Sequence, residues 1–192
     1  MSGIASKQGS VKKEYSHFLH RHNFSAWAAA RAAQRGRGFS VKVPEIVSAI
    51  ERSGLEDAVA DTESYPLTSE DFDSFHRRYA REIISLLGAE GVASVTYGRA
   101  AKIIAIYLKS MVVIGPLWRT RFARVIHPPL DRILLRNLAR RDGLPKGLKQ
   151  KCETVNWTDL SEDEYFDLIQ GFRQAGLDQQ AFWMLEQYWK PS

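Results

Sequence analysis

The chain has 192 residues, of which 44% are hydrophobic and 26% are charged, and it carries a formal net charge of +5 at pH 7. This composition is typical of a folded protein and excludes an intrinsically disordered one. The single cysteine, Cys152, excludes an intrachain disulfide framework and a cysteine-rich metal site, and it fits a reducing compartment.

The sequence shows neither a membrane span nor a secretory signal. No apolar run reaches the roughly 18 residues that a membrane helix needs, and residues 1–10 lack the apolar core of a signal peptide. We therefore expect a cytoplasmic protein with a flexible N-terminus over residues 1–10. Residues 11–192 are enough for a single domain, or for two packed lobes.

The first half of the chain predicts four helices. Asn23 or Ser25 is the expected cap of the second helix, and residues 56–66 form an acidic, turn-rich connection. Three histidines between residues 17 and 22 favour surface positions over a metal site, because no further cysteine or carboxylate completes a ligand set. The predicted helices span about residues 12–22, 26–34, 44–54 and 69–87.

The second half predicts four more helices. The first is apolar on most sides, which marks it as central, and Pro128 or Pro129 fits the first turn of the second. A capping box from Ser161 to Glu164 starts the third. These helices span about residues 97–113, 128–140, 161–176 and 178–189. Because residues 91–96 are too short to count as a strand, the sequence predicts an all-α protein with roughly eight helices.

Positive charge is concentrated in the middle of the chain. Residues 97–151 contain thirteen Lys or Arg and two Asp. A basic protein can bind nucleic acid, an anionic membrane surface or an acidic protein. The concentration of charge in one region favours a polyanion bound at one face.

Two motifs lie in this basic region. Gly98-Arg99-Ala100-Ala101-Lys102 opens the central helix, and Pro128-Pro129-Leu130-Asp131 precedes the next one. Together they resemble the helix-hairpin-helix DNA glycosylases that excise 8-oxoguanine, over about residues 83–140. The resemblance implies the helical glycosylase-like fold, with Lys102 as the nucleophile and Asp131 as its helper.

The residues themselves support a catalytic pair. An amine attacks a sugar carbon only when it is neutral, and an ordinary lysine is protonated at pH 7. Lys102 lies on a mostly apolar helix between Arg99 and Lys109, so burial and like charges should lower its pKa. Asp131 near a helix start should stay ionised, where it can stabilise positive charge on a deoxyribose or accept a proton.

The last predicted helix offers a candidate base pocket. Gln179 and Trp183 would lie one turn apart, with Phe182 beside them, so that an amide adjoins an aromatic surface. An extruded purine needs such a surface to stack on and polar atoms at its edge. The alternative is that these aromatic residues close the core.

The basic region is also the expected DNA face, because phosphate contacts require clustered cations and backbone amides. Duplex DNA containing a damaged base is the expected partner, bound by a monomer without a cofactor or metal. The predicted contact residues are Gly98, Arg99, Lys109, Arg119, Arg121, Arg124, His127, Arg132, Arg136 and Arg140.

The favoured interpretation is a nucleoid-associated DNA glycosylase with lyase activity, which excises 8-oxoguanine or a related oxidised purine through a lysine Schiff base. Two alternatives remain open. One is a non-catalytic nucleic-acid-binding protein on the same scaffold, in a bacterial stress or phage-defence system. The other is an interaction module whose arginine stripe docks an acidic protein.

Overall fold

The computed structural model describes residues 14–34, 39–61 and 64–190, so the predicted flexible segment 1–10 lies outside the described residues. The described residues contain no strand, which confirms the all-α prediction. A π-helical turn, Lys109–Val113, follows α5, and two 3-10 helices lie at Trp157–Asp159 and Phe182–Tyr188. The α-helices are α1 (His17–Ala33), α2 (Val43–Arg52), α3 (Leu55–Ala60), α4 (Ser69–Ala89), α5 (Tyr97–Leu108), α6 (Arg121–Val125), α7 (Arg132–Ala139), α8 (Lys146–Thr154) and α9 (Glu162–Gln174).

The N-terminal helix is continuous, so the prediction of two helices divided at Asn23 or Ser25 is wrong. The side chain of Ser16 caps α1 by accepting a hydrogen bond from the amide of Leu19. Ser25 instead donates its hydroxyl to the carbonyl of Arg21 at 2.7 Å, a bond made inside the helix. Serine often caps helices, but this bond occupies its hydroxyl, so α1 continues through Ser25.

Three short helices were missed. α6 lies between the predicted helices 97–113 and 128–140, where no helix was expected. α3 occupies part of the predicted 56–66 connection and starts after Gly54, whose φ of +77° suits glycine. α8 begins at Lys146, between the predicted helices 128–140 and 161–176, where no helix was expected. Its buried residues are only Leu148 and Cys152, which is too little for a helical period to show in the sequence.

The starts of α4 and α9 follow the capping signals in the sequence. The capping box of α9 forms as predicted: the Ser161 hydroxyl accepts from the Glu164 amide, and the Glu164 carboxylate accepts from the Ser161 amide at 2.8 Å. Thr68 and Asp71 form an equivalent box at the start of α4. These reciprocal bonds satisfy amides that have no partner within the helix.

The central helix, α5, is buried along nearly its whole length, as its apolar sequence predicts. It packs against α1, α4 and α9. The face that α1 turns to the core is mostly alanine, namely Ala26, Ala29, Ala30 and Ala33, and small residues let two helices approach closely. Within the part of the chain that the structure describes, no helix is long and apolar enough to cross a membrane.

Candidate active site

The structure brings Lys102 and Asp131 together, although they are 29 positions apart in the chain. The ammonium Nζ of Lys102 donates to Asp131 Oδ2 at 3.0 Å and approaches the carbonyl of Pro129 at 3.4 Å. Lys102 is 6% exposed, and Asp131 is partly buried. The result is a desolvated ion pair between the central helix and the start of α7.

Asp131 is held by the helix that it caps. The expectation that Pro128 or Pro129 forms the first turn is wrong, because α7 begins at Arg132 and Asp131 is its extended N-cap residue. Oδ1 of Asp131 accepts the amide of Leu134 at 2.9 Å. One carboxylate oxygen therefore fixes the helix terminus, while the other, Oδ2, remains for Lys102.

The electrostatics of the pair follow from burial and from mutual attraction. Burial lowers the pKa of Lys102, and the Asp131 carboxylate opposes this by favouring the ammonium form. Burial on its own would raise the pKa of Asp131, but Lys102 and the Leu134 amide hold it below its ordinary value. Lys102 is thus less basic than an ordinary lysine, and the Asp131 carboxylate lies at hydrogen-bond distance, where it can accept the lysine's proton.

The C-terminal segment forms a 3-10 helix where an α-helix over 178–189 was predicted. Residues three positions apart share an edge of a 3-10 helix, so Trp183 and Glu186 are aligned, and Trp189 follows the last residue of the helix. The indole Nε1 of Trp189 donates to Asp131 Oδ2 at 2.9 Å, and Glu186 forms an ion pair with Lys109. The C-terminal segment therefore connects the Lys102–Asp131 pair to the end of the central helix.

Trp183, the first residue of that edge, lines a groove of about 580 Å³. The other two residues of the predicted base pocket lie elsewhere, which corrects the prediction. Gln179 is exposed in the turn before the 3-10 helix, and Phe182 is buried against the ring of His127 at a centroid distance of 5.3 Å. The groove is lined by Lys109, Val113, Ile114, Trp118, Trp183, Met184, Glu186 and Gln187.

Two predicted phosphate contacts at the start of α5 are buried in the fold. The amide of Gly98 donates to the carbonyl of Leu160 at 3.0 Å, and a Cβ at this position would lie 1.9 Å from the Trp157 carbonyl oxygen. Arg99 donates to the carbonyl of Ala33 at 3.0 Å, at the C-terminus of α1. The glycine allows a close backbone contact and the arginine satisfies a helix end, so neither is placed to grip DNA.

His127, a third predicted DNA contact, belongs to a buried polar cluster that the sequence did not reveal. Its Nε2 lies 3.1 Å from an oxygen of Asp73, and its Nδ1 lies 3.1 Å from the Tyr165 hydroxyl. Arg173 forms two 2.7 Å bonds with the Asp73 carboxylate. Burial lowers the pKa of His127 to about 4, so the imidazole is neutral near pH 7 and supplies no cation to a phosphate.

A second histidine, His76, extends this cluster to the central helix. Its ring stacks on Tyr165 at 4.9 Å, and its Nδ1 lies 2.9 Å from the hydroxyl of Tyr97, the first residue of α5. The cluster thus joins the start of α5 to the segment that precedes Asp131. Asp73 and His76 lie on the buried side of α4, and polar residues on an apolar face were the only sequence signal of the cluster.

The remaining predicted contacts are exposed, apart from Lys109, which is half-buried and paired with Glu186. The guanidinium of Arg119 lies 4.5 Å from the ring centroid of Trp118. α6 and α7, which carry several of these arginines, both pack against the C-terminal 3-10 helix. The exposed arginines are Arg119, Arg121, Arg124, Arg132, Arg136 and Arg140.

Across the described ranges, no group of three or more His, Cys, Asp or Glu side chains is arranged to hold a metal ion. No protein-family model, curated protein or solved structure matches this chain.

Proposed function

We propose that this protein is a DNA glycosylase with associated lyase activity, which removes 8-oxoguanine or a related oxidised purine from duplex DNA. The observation that carries the proposal is the desolvated Lys102–Asp131 pair at 3.0 Å. A buried amine with a lowered pKa and a carboxylate within reach is the arrangement that a Schiff-base nucleophile requires.

In the proposed reaction Lys102 gives a proton to Asp131 and attacks C1′ of the damaged nucleotide. A new N–C1′ bond forms while the glycosidic bond breaks, and the departing base carries away the bonding electrons and is protonated. Asp131 passes the proton that it received from Lys102 to the departing base, and the carboxylate restored in this way stabilises the positive charge that develops on the sugar. Opening of the sugar ring leaves an imine between Lys102 and C1′, and loss of a C2′ proton then expels the 3′ phosphate by β-elimination.

The exposed arginines support DNA as the substrate. The guanidinium groups of these arginines are available to phosphates. They are Arg121 and Arg124 on α6, Arg132 and Arg136 on α7, and Arg140 at the C-cap of α7. Such contacts release counterions, so binding should weaken steeply as salt increases. A purely apolar docking surface would not behave in this way.

The burial of Lys102 favours a second candidate function. Lys102 is 6% exposed and is bonded to Asp131, and a buried ion pair of this kind can hold two helices together without taking part in a reaction. A DNA-binding protein without catalysis fits this observation. In the enzyme, Trp189 has to leave Asp131 so that a nucleotide can reach the pair.

An excision assay separates the two functions. Wild-type protein is incubated with a duplex that contains one 8-oxoguanine and, as the control, with the undamaged duplex of the same sequence. We expect release of the free base and cleavage of the lesion strand only. Salt-sensitive binding without base release, on every oxidised purine tested, would instead support the non-catalytic protein.

A further inference from the structure

We propose that the groove beside Lys109 binds a nucleobase, with Trp118 as its stacking surface. The inference rests on the proposed function in taking DNA as the partner. It adds Trp118, a binding residue that the sequence did not indicate.

The groove has the chemistry of a base-binding site. Its aromatic and aliphatic lining includes Trp118, Trp183 and Ile114, and its one charged pair is Lys109 with Glu186. A nucleobase matches this lining because it has two apolar faces and a polar edge that can bond to an ammonium or a carboxylate. The groove volume of about 580 Å³ falls within the roughly 300–1,000 Å³ that is common for ligand sites.

Trp118 is unusually exposed for a large apolar residue. It is 47% exposed, and Ile114, also on the groove, is 71% exposed. Exposed apolar residues that adjoin one another and are bordered by charge mark binding surfaces. Ile114 and Trp118 therefore form an apolar rim to the groove.

The charge around this rim identifies the occupant. Arg119 lies over the Trp118 ring at 4.5 Å, and Arg121 and Arg124 follow on an exposed face of the next helix. A base stacked on the indole would carry its phosphates towards these guanidinium groups. The combination of a stacking ring and adjacent cations is what single nucleotides require, and it favours DNA over an acidic peptide, which has no flat aromatic face to offer.

Two residues that line the groove, Lys109 and Glu186, also lie near the candidate catalytic pair. Lys109 and Glu186 both act on the charge of Lys102, lowering and raising its pKa respectively. Trp183 and Glu186 line the groove, and Trp189, which directly follows the 3-10 helix, bonds to Asp131. A base held in the groove would thus leave its sugar directed to the region of Lys102.

The test compares binding with and without a base. Two duplexes are used, one carrying 2′-fluoro-8-oxodeoxyguanosine, which resists base release, and one carrying tetrahydrofuran, which has no base. We expect Trp118→Ala to weaken binding to the first duplex by about tenfold or more and to leave binding to the second unchanged. Trp118→Phe, which keeps a flat ring and reports on folding, should restore most of the affinity.

The matched control is Trp27→Ala, because Trp27 is 51% exposed on α1 and lies outside the groove. It should bind both duplexes like wild type. Equal loss on the two duplexes, or no loss in Trp118→Ala, overturns the inference and leaves the groove to another occupant. If Trp118→Ala loses affinity only for the duplex with the base but wild type excises no base, the proposed function is overturned and the groove proposal stands. If wild type excises the base but Trp118→Ala binds normally, the groove proposal alone is overturned.

Discussion

Replacing Asp131 by asparagine is expected to slow release of the damaged base by about 100-fold or more. Asparagine keeps the extended N-cap of α7, because its side-chain oxygen can still accept the Leu134 amide. What it removes is the negative charge beside the sugar. The carboxylate that opposes the effect of burial on Lys102 is also lost, so the pKa of the lysine should fall further.

The two halves of the reaction should therefore respond differently to Asp131→Asn. Single-turnover rates are measured on a duplex with 8-oxoguanine and on one with a preformed abasic site. We expect the large loss on the first and little change on the second. Asp142→Asn, which removes the same charge at an exposed position, is the control and should behave like wild type on both. Equal slowing on both substrates would show that Asp131 only positions the lysine.

The largest effect on stability is expected from Asp73→Asn. Asp73 and Arg173 form two 2.7 Å bonds in a site where their side chains are 9% and 11% exposed. Removing one partner of such a pair leaves a buried charge without compensation, which costs about 3–5 kcal/mol. Urea unfolding at pH 7 measures this loss.

The same carboxylate predicts how stability responds to acid. Burial alone would raise the pKa of Asp73, but Arg173 and His127 hold it well below its ordinary value. A depressed pKa in the folded state stabilises the protein above the unfolded value of about 3.9, and this contribution is lost as the pH falls below that value. Asp73→Asn should lack this part of the acid dependence.

A surface pair provides the control for Asp73→Asn. Glu162 bonds to Arg77 and Arg81, but its side chain and theirs are more exposed than the buried pair. Glu162→Gln should cost less than about 1 kcal/mol. If the two substitutions cost the same, the buried cluster does not stabilise the fold in the way proposed.

The parts of the fold that the sequence predicted are those governed by local chemistry. The central helix follows from a long apolar run, and α9 follows from a capping box and apolar residues at helical spacing. The meeting of Lys102 and Asp131 was also anticipated, through the resemblance to a family. The helix signals each lie within a few turns of the chain, and the resemblance rests on the two motifs that begin at Gly98 and Pro128.

The errors arise where distant contacts decide the outcome. Arg99 belongs to a basic stripe in sequence, yet its guanidinium bonds to Ala33, which is 66 positions away. His127 directly precedes the Pro128-to-Asp131 motif, but its partners come from α4 and α9. The C-terminal segment has α-helical composition, and the contacts of Trp189 and Glu186 accompany a 3-10 helix instead. No local sequence pattern shows that Arg99 and His127 are buried, or that the C-terminal segment is a 3-10 helix and not an α-helix.

The most direct test of the proposed function is borohydride trapping, because only an amine nucleophile leaves an imine that can be reduced to a permanent bond. Wild-type protein and a duplex containing 8-oxoguanine are mixed with borohydride, and the adduct is mapped by peptide mass spectrometry. We expect the DNA to be attached covalently to Lys102. Lys102→Gln should give no adduct, and Lys151→Gln, which changes an exposed lysine, should give as much adduct as wild type. An equal yield of adduct from Lys102→Gln would assign the nucleophile to another amine, and the absence of both adduct and strand cleavage in wild type, on any oxidised purine, would contradict the enzyme.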